Sequence, residues 1–414
     1  MSYLHRLLAP AVAQSLTHFP CVFINGPRQS GKTTLARMVW PENVAAYVNF
    51  DDAVALAVAA SAPESFLSGY TNKLILDEIQ LVPPLYRALK ASIDEKRRAG
   101  DGKAGGLYIL TGSTNILALP KLADALVGRM IIKTLYPLSA AEIHNGKGDF
   151  ISRLREGRFT AGTVAPYSAV QTIERSTFPE IRDTTEAART DWFRSYLTTL
   201  IQRDVQHLMA IEKTTLLPQL LQLLASRVGG LLNEADLARS VNENAVTTKR
   251  YRTLLELLFL TITVPPWFRN ISKRLVKSPK SYLIDTNMVC HMLGRTLTDI
   301  ERSDTSLFGH LLENFVATEL LKQRAEPIHQ AGLHHFRTSD GREVDFVIEY
   351  PDQKIAGIEV KAADSVSLRD CAGLLELAAL AGGNFTHGCL LYRGKHVLKI
   401  TDTIWALPLS CLWE

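Results

Sequence analysis

The sequence predicts an α/β protein in three parts: a parallel sheet with flanking helices, a helical middle ending in a winged-helix pattern, and a second α/β region. Three observations carry that reading. The apolar run "CVFIN" passes through a glycine-bearing loop into "TTLARMVW", which has helical spacing. A second apolar run, in "KLILDEIQ", ends on two acids, as a buried strand does at its carboxyl edge. Two further strand-like runs, "REVDFVIEY" and "KIAGIEVKAA", are separated only by "PDQ", which reads as a hairpin loop.

At 414 residues the chain exceeds one ordinary core, and its 46% apolar and 21% charged content excludes disorder and fibrous repeats. The formal net charge of +4 permits a nucleic-acid partner without arguing for one. Five scattered cysteines with no CxxC pair suggest neither a disulfide framework nor a zinc site, and read as buried thiols in a reducing compartment. No basic leader precedes an apolar segment at the N-terminus. The longest apolar stretch, "LLELLFLTITVPPW", is broken by Glu256 and two prolines. The expectation is a cytoplasmic protein without a membrane span.

The first element carries the sharpest chemistry. Gly26, Pro27, Arg28, Gln29, Ser30, Gly31, Lys32 and Thr33 fit GxxxxGK[ST] between a strand and a helix, with Thr34 following. Glycines let backbone N–H groups wrap a phosphate, Lys32 reaches the β and γ phosphates of a nucleotide, and Thr33 offers its hydroxyl to Mg²⁺. Asp77, at the end of the next buried run, can hold the ion's water shell, and Glu78 is placed to orient and deprotonate an attacking water. A third run, "LYILTGSTN", puts Ser113 at a carboxyl edge within reach of the γ-phosphate. A fourth begins at Arg129, which is either a surface ion-pair former or a phosphate-directed arginine.

"GPRQSGKTT", "LILDEIQ", "LTGST" and "LVGRM" followed by "LYPLSAAEI" resemble the AAA-type P-loop ATPases of the family whose C-terminal region is DUF4143. That resemblance implies ATP as cofactor and a homo-oligomer, such as a hexamer. In it the arginine at the Arg129 position acts on nucleotide in a neighbouring subunit.

Residues 146–190 are polar and weakly periodic, a connector. From Asp191 the spacing turns helical, with Asp204 falling on the apolar stripe beside Arg203. Next, "LLNEADLARSVNENAVTTKRYRTLLELL" reads helix, turn, helix, with Asn233 and Asn242 as candidate caps, and β-rich residues follow. This is a winged helix-turn-helix layout. Thr247, Thr248, Lys249, Arg250 and Arg252 would lie near the start of its second helix, where DNA phosphates and base edges are met. Lys273, Arg274, Lys277 and Lys280 add basic density nearby. A packing module with a solvated basic face is the competing reading.

In the last region Glu313 has Val316, Ala317 and Leu320 on its own helix face, so it points inward and needs compensation. A hairpin symmetric about Asp352 sets Asp345 across from Glu359, and Glu359 shares a face with Lys361. Paired carboxylates can hold Mg²⁺ or Mn²⁺, and a nearby lysine can stabilise charge developing at phosphorus. The set Glu313, Asp345, Glu359 and Lys361 resembles the PD-(D/E)xK nucleases of restriction-endonuclease-like fold.

The expected domains are therefore residues 1–145, an ATPase; 146–275, a connector and winged helix; and 276–414, a nuclease-like α/β end. Two functions follow. One is ATP hydrolysis coupled to DNA binding and metal-dependent DNA cleavage. The other is a nucleotide-gated switch or DNA motor whose nuclease-like end only binds DNA or protein.

Overall fold

In a computed structural model, residues 3–100, 105–115, 118–208, 215–268, 278–324 and 331–414 are described, 203–208 by backbone alone. Two compact units form: Met1–Pro137 with Leu257–Phe259, and Leu138–Glu256 with Leu260–Glu414.

The first unit is built on β1 (Cys21–Asn25), β2 (Ala45–Asn49), β3 (Lys73–Asp77), β4 (Tyr108–Gly112) and β5 (Met130–Thr134). All are parallel, in the order β2-β3-β4-β1-β5. β1 and β4 are buried throughout and β3 at all but Lys73, which is why they read as unbroken apolar runs rather than alternating ones. Helices such as Lys32–Val39 and Leu85–Ala99 cover the sheet. Because β1 sits between β4 and β5 while the chain continues to β2 at the far edge, the segments leaving β1, β3 and β4 emerge at one carboxyl edge. That edge is where ligands of open α/β sheets bind.

The second unit begins eight residues earlier than expected. Residues just after Pro137 are tied into it: Leu138 N donates to Thr177 O at 2.9 Å, and Ala140 N donates to the buried carboxylate of Glu319 at 2.8 Å. The predicted helix pair is present as Glu234–Ser240 and Ala245–Leu257. Asn233 caps the first through its side chain, but Asn244, not Asn242, accepts from Thr247 N in the second. An antiparallel ribbon follows, β7 (Thr261–Val264) with β8 (Lys280–Leu283). The expected boundary at residue 275 falls between these two paired strands, so middle and end are joined by main-chain hydrogen bonds.

The rest of the unit is a seven-stranded mixed sheet. Its strands are β6 (Gly162–Thr163), β9 (Gly332–Arg337), β10 (Glu343–Glu349), β11 (Ile355–Lys361), β12 (Phe385–Tyr392), β13 (His396–Lys399) and β14 (Ile404–Pro408), in the order β6-β13-β14-β12-β11-β10-β9. The helix Thr305–Gln323 packs on β11 and is buried over most of its circumference, its polar residues Glu313, Asn314, Glu319 and Gln323 included. All five cysteines are buried free thiols. No helix among the described residues is long and apolar enough to cross a membrane.

Candidate nucleotide site and carboxylate cluster

The loop after β1 has the backbone its glycines imply. Gly26 has φ +146°, and a Cβ there would lie 2.1 Å from the carbonyl oxygen of Leu135. Gly31, φ +94°, stands at the N-terminus of the helix Lys32–Val39. Gln29 adopts φ 60°, a conformation a side chain tolerates poorly and functional loops retain. Lys32 Nζ donates to Gly26 O at 3.1 Å and Pro27 O at 2.8 Å, which lays its ammonium along the loop's inner wall. Ser30 Oγ is buried without a hydrogen-bond partner among the described residues. Arg28 is half-buried, and Gln29 and Thr34 are exposed at the rim.

Strand ends supply the acids. Thr33 Oγ1 donates to Asp77 Oδ2 at 2.7 Å, and Thr111 Oγ1 donates to Asp77 Oδ1. Glu78, left-handed at φ 56°, accepts from Ser113 Oγ at 3.1 Å and from the Gln80 amide through Oε2. Thus Thr33, Asp77, Glu78 and Ser113, drawn from three separate segments, converge at the carboxyl edge. The donor set fits a nucleotide with Mg²⁺: loop N–H groups and Lys32 for phosphate, a hydroxyl beside a carboxylate for the ion, and an orphaned buried hydroxyl at Ser30.

Two residues complete this site that the sequence did not suggest. Tyr47 OH donates to Asp77 Oδ2 at 2.7 Å, and burial with that bond raises its phenol above the ordinary value. Buried Arg6 donates to Ser30 O at 2.7 Å and to Tyr136 O at 2.6 Å, stapling the loop to the segment after β5. Tyr47 had one readable signal, its place on the strand paired with β3; Arg6 had none.

Arg129 is engaged within its own unit. Its guanidinium grips Asp94 with both branches, at 2.7 and 2.8 Å, and that hydrogen bonding holds the Asp94 carboxyl below its usual range. Of the two sequence readings, the structure displays the ion pair.

The expected DNA-contacting residues divide. Lys249 and Arg250 are exposed and Thr247 is partly so. Thr248 is fully buried and Arg252 nearly so, with Arg252 paired to Glu234 at 2.8 Å and Glu256 at 2.6 Å. Thr248 and Arg252 are therefore core residues rather than DNA contacts, because they fall on the inward face of the helix Ala245–Leu257. Lys273, Arg274 and Lys277, and the side chains of Arg203 and Asp204, lie outside the described residues.

In the second unit, β10 and β11 pair as Phe346↔Ile358 and Ile348↔Ala356, the register that sets Asp345 opposite Glu359. Lys361 Nζ donates to Glu359 Oε1 at 2.8 Å, and Asp345 Oδ2 accepts from Val360 N at 2.9 Å. Glu313 arrives from the helix Thr305–Gln323. Lys280, noticed in the sequence only as basic density, stands between the acids: its Nζ donates to Glu313 Oε1 at 2.8 Å and to Asp345 Oδ1 at 3.1 Å. Tyr282 OH adds a 2.6 Å bond to Glu313 Oε1.

Burial raises the Asp345 and Glu359 carboxyls, reinforced at Asp345 by both neighbouring acids. For Glu313 burial pushes the same way, but the His310 ring 3.8 Å from its Oε2 and the charge and hydrogen bond of Lys280 outweigh it and hold the group low. Mg²⁺ or Mn²⁺ on Asp345 and Glu359 does not fit this arrangement. An ammonium already holds the Asp345 oxygen turned toward Glu313, and no group of three or more His, Cys, Asp or Glu among the described residues is set to hold a metal ion.

Three family models match the chain. An AAA domain covers residues 18–144, a domain of unknown function (DUF8612) covers 168–299, and a domain of unknown function (DUF4143) covers 308–412. A protein of Mycobacterium tuberculosis described as uncharacterized is 28% identical over 413 residues, 97% of this chain and 83% of the relative. An uncharacterized protein of Haemophilus influenzae is 24% identical over 67% of this chain and 63% of its own length. Among solved structures, a Walker-type ATPase of Pyrococcus abyssi is 14% identical, covering 69% of this chain and 94% of that one, with a TM-score of 0.38. Residues 18–144 are thus similar to AAA domains and residues 308–412 to DUF4143 domains.

Proposed function

We propose that this protein is a Mg²⁺-dependent ATPase that engages DNA through its second unit, and that the nuclease-like carboxylates there do not cut in the conformation described. The observation that carries the first part is the 2.7 Å contact between Thr33 and Asp77 with Glu78 adjoining it. Thr33 and Asp77 would hold Mg²⁺, which when bound neutralises charge on the β and γ phosphates. The loop N–H groups and Lys32 fix the phosphates. Glu78, steadied by Ser113 and Gln80, accepts the proton of the attacking water. Ser113, beside it at the carboxyl edge, would offer its hydroxyl to the γ-phosphate of a bound nucleotide.

DNA engagement is supported by the exposed Lys249 and Arg250 near the start of the helix Ala245–Leu257, with a two-stranded ribbon behind it. Subunit assembly follows from the AAA-type reading; within it Arg129 reaches a neighbour's nucleotide only by leaving Asp94. Cleavage is the second reading, favoured by Glu359 and Lys361 facing Asp345 across the hairpin.

The test is ATP hydrolysis by the full chain and by Lys32→Ala, with and without duplex, branched and supercoiled DNA. Hydrolysis lost in the variant and altered by DNA supports the proposal. Hydrolysis indifferent to every DNA, with no DNA retained on a filter at low salt, refutes the DNA part.

A further inference from the structure

The cluster in the second unit holds three carboxylates and two ammonium groups at close quarters, and their bonding is uneven. Glu313 Oε1 accepts from both Lys280 and Tyr282, and Asp345 accepts at each oxygen, from Lys280 and from Val360 N. Glu359 accepts from Lys361 through Oε1 alone. Its Oε2 is buried and has no hydrogen-bond partner among the described residues, in a residue 8% exposed. A buried, unpartnered carboxylate oxygen is unfavourable unless something completes it. The register places it across the hairpin from Asp345.

Lys280 has little freedom to move away. It is the first residue of β8, its main chain bridges to Leu231 as well as pairing with Val264, and it is 3% exposed. Gly229 lies close to Glu313, where any side chain would crowd it: a Cβ there would lie 3.1 Å from Glu313 Oε2.

We infer that Lys280 is the resident cation of the Asp345 and Glu313 carboxylates, and that its ammonium keeps Mg²⁺ and Mn²⁺ from binding between them. A hard divalent cation takes carboxylate oxygens as ligands, and Lys280 holds the oxygens of Asp345 and Glu313 that would be needed. Two positive centres cannot share them in a buried setting. Withdrawing or neutralising Lys280 frees both carboxylates next to the already unpartnered Glu359 Oε2. The inference rests on the nuclease-like reading of these acids, and it makes β8 the strand that keeps the site closed.

The experiment uses the full chain carrying Lys32→Ala and Thr33→Ala, so that the nucleotide loop contributes no ion site, and reads Mn²⁺ binding by the loss of the free-ion paramagnetic resonance signal. With Lys280 intact no saturable site is expected. Adding Lys280→Met is expected to create one, and adding Asp345→Asn to remove it again. Lys280→Gln, which keeps hydrogen-bond donors but not the charge, serves if the methionine variant fails to fold by circular dichroism.

Saturable binding with Lys280 intact that is lost in Asp345→Asn overturns the inference. So does a folded Lys280 variant that gains no site. DNA nicking is scored separately. A Lys280 variant that binds Mn²⁺ but nicks no DNA keeps the metal inference and sinks the nuclease reading. Nicking by the chain with Lys280 intact, lost in Lys361→Ala, does the reverse.

Discussion

His335, on β9, should make the second unit lose stability as the pH falls from 7 to 5. Its Nε2 lies 3.2 Å from the carbonyl oxygen of Ser278, so that nitrogen carries the hydrogen. Nδ1 is buried with no hydrogen-bond partner among the described residues. Protonation would put a charge there, and burial, aided by the positive charge of Lys280, lowers the imidazole from 6.5 to about 4. The unfolded chain then binds a proton between these values that the folded chain refuses. Stability is complete above pH 6.5 and declines as pH drops toward 4.

With those two values the contribution lost between pH 7 and pH 5 is about 2 kcal/mol. Asp345 and Glu359, whose carboxyls are raised by burial, act in the opposite sense, since the folded state holds their protons longer. The quantity to measure is therefore a difference. Urea unfolding would be followed by tryptophan fluorescence at pH 7 and pH 5 for the native chain and for His335→Gln, which keeps a donor for Ser278. Four of the five tryptophans, Trp192, Trp267, Trp405 and Trp413, belong to this unit. The variant should be less sensitive to acid by about 2 kcal/mol. Equal pH dependence in both proteins would refute the buried neutral imidazole.

Glu78→Gln should retain nucleotide binding while slowing hydrolysis by about 10²–10⁴-fold, checked by single-turnover assay beside a binding titration. Gly26→Ala should destabilise the first unit by about 1–3 kcal/mol and abolish nucleotide binding, because the new Cβ meets Leu135 O in a backbone conformation alanine resists; thermal unfolding with and without ATP reads both. Lys249→Glu with Arg250→Glu should weaken DNA binding and flatten its salt dependence by about one unit of slope per charge. Arg252→Ala should leave that slope unchanged and lower stability instead, since it strips the partner from Glu234 and Glu256.

What the sequence disclosed and what it hid divide along a physical line. Residues fixed by local rules were legible: the loop from Gly26 to Thr33 by its glycines and flanking periods, Asp77 and Glu78 by their place at a strand's end, and Asp345 across from Glu359 by hairpin symmetry. Partners brought by long-range packing were not. Arg6 reaches Tyr136 across 130 residues, and Arg129 finds Asp94 from 35 residues away, with no spacing to announce either. The helix Ala245–Leu257 shows the intermediate case, where basic composition was visible but only the fold decided that Arg252 turns inward while Lys249 turns out.

Lys280 is the most consequential of the hidden partners. By composition it belonged with Lys273, Arg274 and Lys277 as one more surface cation of a basic stretch. What removes it from that group is β8, whose pairing with β7 and bridge to Leu231 carry its side chain into the acid cluster. The sequence did say that Glu313, facing inward, needed a compensating charge, and Glu359 with Lys361 accounts for only one of the three acids. The remaining pair requires a cation from elsewhere, either an ion from solution or a side chain of the protein. A strand that delivers a lysine answers that requirement from within. The set Glu313, Asp345, Glu359 and Lys361, whose order resembles that of metal-dependent nucleases, therefore folds here around a positive charge that the protein itself supplies.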